Sequence, residues 1–98
     1  MGQPTNRSSG LKTADATIVT GKSILAGVQI ITDKTNDATV VLYDNTSAAG
    51  TEIFKAIVTG TDDTIHFNVP DGGISCDIGI YADITVAAGA MGYIVLYR

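Results

Sequence analysis

His66 and Cys76 are the sole imidazole and thiol in this chain, and a nucleophilic site would be built from such a pair, the imidazole drawing the proton from the thiol. His66 stands between Ile65 and Phe67 in an alternating run, which turns it outward on a strand. Cys76 has no third group near it in sequence to orient a base. An exposed His and a small core thiol is the plainer reading. Gly21-Lys22-Ser23 carries the closing residues of a phosphate-binding loop, in which backbone amides cradle phosphate and the Lys reaches it. That motif needs a Gly five residues earlier, where the chain has Ala16. It also needs a helix after Ser23, where Ile24-Leu25-Ala26-Gly27-Val28 reads as strand. A hairpin turn accounts for the tripeptide.

Oxygen ligands for calcium are offered by Asp33, Asn36 and Asp37 in one loop, by Asp44 and Asn45 in a second, and by Asp62 and Asp63 in a third. None has the calcium-loop spacing of acidic residues at 1, 3 and 5, Gly at 6 and Glu at 12. Asp and Asn also favour turns by bonding their own backbone. A carboxylate pair for glycoside cleavage would need a cleft, for which a chain this short leaves little room. The sequence therefore predicts no catalytic residues, no metal ligands and no cofactor. Tyr43, Tyr81, Tyr93 and Tyr97 fall at strand positions, where a Tyr serves core packing, subunit contact or sugar stacking.

What must position these groups is a β-framework. Twelve Ile, eight Val and thirteen Thr make a third of the 98 residues β-branched, in short runs broken by Gly, Asp and Asn. Ala14 to Thr20, Ser23 to Thr32, Ala38 to Tyr43, Glu52 to Thr59, Thr64 to Val69, Ile74 to Cys76, Ile78 to Val86 and Gly92 to Arg98 read as strands. No stretch shows a helical stripe of useful length. The expected fold is an all-β antiparallel β-sandwich of seven to eight strands spanning residues 11–98, with a small barrel as the alternative. Residues 1–10 are polar, contain Pro4 and Gly10, and read as a flexible arm.

Net charge is −4 and the six basic residues form no patch, which argues against nucleic-acid binding. No apolar run is long enough for a membrane helix, and the N-terminus lacks the apolar core of a signal peptide. One Cys makes no intrachain disulfide. Charged residues are only 16% of the chain, below the usual quarter. Ser23 to Thr32 and Tyr93 to Tyr97 carry apolar residues on both strand faces, more than one core consumes. Association with a second subunit follows as the expectation, with Leu25, Ile31, Tyr81, Tyr93, Ile94, Leu96 and Tyr97 as candidate contacts.

Taken as a whole, the run from Gly21-Lys22-Ser23-Ile24-Leu25-Ala26-Gly27-Val28 through Ile31-Thr32-Asp33 and Asn36-Asp37-Ala38-Thr39-Val40-Val41-Leu42-Tyr43-Asp44-Asn45 resembles small proteins of tailed bacteriophages. Ile80-Tyr81-Ala82-Asp83-Ile84 and Tyr93-Ile94-Val95-Leu96-Tyr97 extend the resemblance over residues 20–98. It implies a non-enzymatic virion component, a jelly-roll-like subunit that decorates or cements the capsid as a homo-oligomer, with a trimer favoured and the capsid protein as partner. Its place would be the virion, after synthesis in the host cytoplasm. The runner-up is a receptor- or carbohydrate-binding module of a tail fibre. The resemblance transfers no functional residues.

Overall fold

A computed structural model describes residues 6–31, 37–59, 65–69, 72–86 and 91–98. Nine strands follow one another, with no helix among the described residues: β1 (Arg7–Ser8), β2 (Ala16–Thr20), β3 (Ser23–Ile31), β4 (Ala38–Asp44), β5 (Thr51–Val58), β6 (Ile65–Asn68), β7 (Ile74–Cys76), β8 (Gly79–Val86) and β9 (Gly92–Tyr97). All pairings are antiparallel. One sheet runs β1-β9-β3-β6, with β7 also on β3, and the other runs β2-β8-β4-β5. The two sheets pack face to face as a β-sandwich.

The pairings are nested. β4 returns on β5, β3 on β6 and β7, β2 on β8, and β1 on β9, so the chain folds as one long hairpin with its tip at the turn after Asp44. Alternate pairs of that hairpin fall in alternate sheets, and the β3–β9 and β4–β8 pairings complete each one.

Between the sheets lie Leu25, Val28, Ile30, Val40, Leu42, Val58, Ile80, Tyr93 and Val95, all fully buried. Burial of each such aliphatic side chain contributes about 1.5–3 kcal/mol. Phe54 of β5 and Phe67 of β6 meet edge to face at 5.2 Å and close one side of the sandwich.

The apolar residues of Ser23–Ile31 do not divide between two faces as a regular strand would require. The register of β3 on β9 shifts between Leu25 and Gly27, a β-bulge that reverses the alternation. Ser23 and Leu25 point inward before it, and Val28 and Ile30 after it. One core thus consumes residues that a regular strand would send to opposite sides. A second bulge, at Ile53 where Tyr43 pairs with Glu52 and Leu42 with Phe54, explains the imperfect alternation of β5.

The polar arm is partly structured. Arg7 and Ser8 pair with Tyr97 and Leu96. The Ser9 amide donates to the Val95 carbonyl at 2.9 Å, and Lys12 exchanges two 2.9 Å bonds with Tyr93. Composition misses this strand because its contribution is backbone pairing, which any side chain permits. Residues 1–5 of the arm lie outside the described residues.

Candidate functional site

The groups singled out for chemistry are kept apart by the fold. His66 pairs in register with Gln29 and Cys76 with Ser23, six positions apart along β3, or about 20 Å at strand rise. His66 faces solvent and shares a 3.0 Å hydrogen bond with Asn68 Oδ1. Cys76 is buried in the core, its thiol pushed up in pKa chiefly by burial. No thiolate–imidazole pair forms.

Gly21, at φ +98°, makes the turn from β2 to β3, and its amide donates to Ile78 O at 2.8 Å. Strand follows it, as the sequence predicts. Lys22, Ser23, Ser75, Cys76, Asp77 and Arg98 line an open cavity of about 380 Å³ at this end of β3. Arg98 there donates to Asn6 Oδ1 at 2.9 Å and to Gly72 O.

Asp44 serves a turn. Its carboxylate accepts from the amides of Asp77 at 3.1 Å, Ile78 at 2.9 Å and Gly79 at 3.4 Å, and the Ile78 and Asp77 bonds hold its pKa below the usual carboxylate value. Asn45 Oδ1 accepts from Thr46 N at 2.7 Å, and its amide donates to Ala49 O at 2.9 Å. Asp33, Asn36, Asp62 and Asp63 lie outside the described residues. Among the described residues no three His, Cys, Asp or Glu side chains gather to hold a metal, and no helix is long and apolar enough to cross a membrane.

The seven candidate contact residues separate into three groups. Leu25 and Tyr93 are fully buried by their own chain and present nothing to a partner. Leu25 is turned inward by position relative to the bulge. The ring of Tyr93 lies in the core, and its hydroxyl finds a partner at the edge, donating to Ala14 O at 2.6 Å. Tyr97, half-buried, also packs on the core. Ile31, Ile94 and Leu96 come together on the outer face of the first sheet, where Gln29 pairs with Ile94, Gly27 with Leu96 and Ile31 with Gly92. Tyr81 sits on the opposite outer face, that of the second sheet, paired with Tyr43.

Two glycines shape the outer face of the first sheet. A methyl on Gly92 would stand 2.7 Å from Leu11 Cδ1, and one on Gly27 would stand 3.6 Å from Leu96 Cδ1. The leucines lie against the bare backbone, giving a low apolar strip of Leu11, Ile31, Ile94 and Leu96, bordered by Gln29, His66 and Asn68. Leu11 is 60% exposed and the other three are half-buried. Leu11 escapes a reading by strand pattern because it lies between strands.

The outer face of the second sheet is more polar. Thr17, Tyr81, Tyr43 and Glu52 form one cross-strand row, and Asp83, Val41 and Lys55 the next. Asp15, just before β2, accepts from Ile84 N at 2.9 Å. Burial, the Asp15 charge and a hydrogen bond with Asp15 raise the pKa of Asp83, in that order. Asp15 and Asp83 are 68 positions apart, so no local spacing announces them. No protein-family model, curated protein or solved structure matches this chain.

Proposed function

We propose that this chain is a structural subunit of a tailed-bacteriophage particle, a capsid decoration or cement protein that acts as a homo-oligomer, with a trimer favoured. The observation that carries the association is the apolar strip of Leu11, Ile31, Ile94 and Leu96 on the outer face of the first sheet, which the sandwich itself leaves uncovered. The strand order supports the virion reading. With β6 and β7 counted as one interrupted strand, the two sheets run 1-8-3-6 and 2-7-4-5, an order compatible with a jelly roll, an architecture found in viral capsid and lectin domains. The phage likeness of residues 20–98 points the same way. The mechanism is additive: many copies each add modest binding energy to the closed shell and none to displaced subunits, so mass action favours closure.

Two experiments test this. Light scattering after size-exclusion chromatography gives an oligomer at micromolar concentration, and the pair Ile94→Lys with Leu96→Glu returns it to monomer with the far-UV spectrum unchanged. A wild-type monomer refutes the association. Heating particles with and without the protein tests the cement role, and equal shell stability refutes it.

A further inference from the structure

The four tyrosines divide in a way that association does not explain. Tyr93 and Tyr97 pack in or on the core, but Tyr43 and Tyr81 do not. They stand directly opposite one another on β4 and β8, both half-buried on the outer face of the second sheet. Among the described residues neither ring packs on another ring, and neither hydroxyl has a hydrogen-bond partner. Two amphipathic rings therefore lie side by side with their polar ends free, about 5 Å apart at Cβ.

Their surroundings select among ligands. Glu52 extends the row beyond Tyr43, Thr17 extends it beyond Tyr81, and Asp83 sits one row away. Carboxylates accept hydrogen bonds in several directions, and hydroxyl-rich ligands supply the donors. Lys55 is the lone cation in these two rows, against Glu52 and Asp83 with Asp15 beside them. The field of Glu52 and Asp83 reaches Tyr43, whose pKa is raised by burial first and then by those two carboxylates. Such a face repels phosphate, sulfate and uronic acid groups. An uncharged ring with an apolar face and hydroxyls at its rim meets both demands.

We infer that the outer face of the second sheet is a binding platform for neutral carbohydrate, with sugar rings laid on Tyr43 and Tyr81 and their hydroxyls bonded by Glu52, Asp83 and Thr17. This face lies on the far side of the sandwich from the apolar strip, so an assembly that buries the strip leaves the platform displayed. The site does not depend on that assembly.

The test uses the full chain, labelled with ¹⁵N, titrated with neutral hexasaccharides of β-1,4-glucose, β-1,4-N-acetylglucosamine, β-1,3-glucose and α-1,4-glucose, and with hyaluronan fragments as the acidic control. At least one neutral sugar shifts the amides of Tyr43, Tyr81 and Asp83 saturably. Tyr43→Ala and Tyr81→Ala each weaken it roughly 10-fold, the scale of one aromatic contact. Ile94→Lys, which disrupts the other face, leaves it unchanged. Failure of all four neutral sugars to move these amides at millimolar concentration overturns the inference, as does equal binding of hyaluronan. Both tyrosines are off the core, and a far-UV spectrum confirms that each variant folds.

Discussion

Replacing Tyr93 by Phe produces two effects of opposite sign, which separate along the pH axis. The hydroxyl of Tyr93 donates to Ala14 O at 2.6 Å and the ring is fully buried, so the variant keeps its packing and loses one hydrogen bond. At pH 7 that costs about 1–1.5 kcal/mol. The same environment resists ionisation of the phenol. Burial first, then the charges of Asp15, Tyr81 and Asp83, push its pKa up to about 12 from 10.0. An acid whose folded pKa lies above its unfolded value stabilises the fold fully below the unfolded value and loses that contribution as pH climbs through the folded one. Between pH 10 and 12 the wild type therefore gives up about 2–2.5 kcal/mol from this site, at about 1.4 kcal/mol per pKa unit. Phe has no such loss. Wild type is the more stable protein at neutral pH, the two curves cross near pH 11 (~1.4 kcal/mol of loss), and the variant is the more stable one above it. Urea unfolding followed by far-UV circular dichroism, at one protein concentration from pH 7 to 11.5, measures the gap directly. A gap that stays constant across that range refutes the placement of Tyr93.

Asp83→Asn acts at the other end of the scale. The raised pKa of Asp83 means that its penalty is complete above the folded pKa and absent below the unfolded value near 3.8. The variant is more stable than wild type at pH 7 and loses that advantage as pH falls toward 4, read by thermal melts in a pH series. Asp44→Asn behaves oppositely: the lowered carboxylate pKa stabilises the fold above 3.8 and is lost as pH falls through the folded value, so the variant melts lower at pH 7 and the gap closes in acid. Gly79→Ala places a methyl 2.4 Å from Val19 O at φ +154°, and chemical denaturation should show about 1–3 kcal/mol of lost stability. A neutral result there would mean that β2 and β8 are not so closely apposed.

How far the sequence discloses this fold depends on whether each strand keeps its period. Ile65, Phe67 and Val69 turn inward and His66 and Asn68 outward, as their alternation predicts, and Ile80, Ala82, Ile84 and Val86 share one face of β8. Ile78 does not join them: it precedes the strand and is 51% exposed. Ser23–Ile31 is the instructive case. Its apolar residues on odd and even positions suggest two covered faces, yet the bulge brings Leu25, Val28 and Ile30 to one side, leaving Ile24, Ala26 and Ile31 on the other. A bulge changes the period by a single residue and carries no composition of its own. The same limit applies to the surfaces. Ile31, Ile94 and Leu96 are legible as outward apolar residues, whereas the row of Thr17, Tyr81, Tyr43 and Glu52 comes from four strands and emerges only with the register.

The nested pairing dictates when this chain is able to fold. β9 lies between β1 and β3, and β8 between β2 and β4, so each sheet is held together by a strand from the last twenty residues. A nascent chain holds β1 and β3 as separate edges with a vacant slot between them until β9 has been made. Every pairing that closes the sandwich spans a large stretch of sequence, and such contacts form slowly. The hairpin of β4 and β5 spans the shortest stretch of sequence among these pairings, and the β3 pairings with β6 and β7 also precede β8 and β9. Closure of both sheets therefore waits for β8 and β9, and a chain cut ahead of Gly92 keeps exposed strand edges, prone to join other copies of itself.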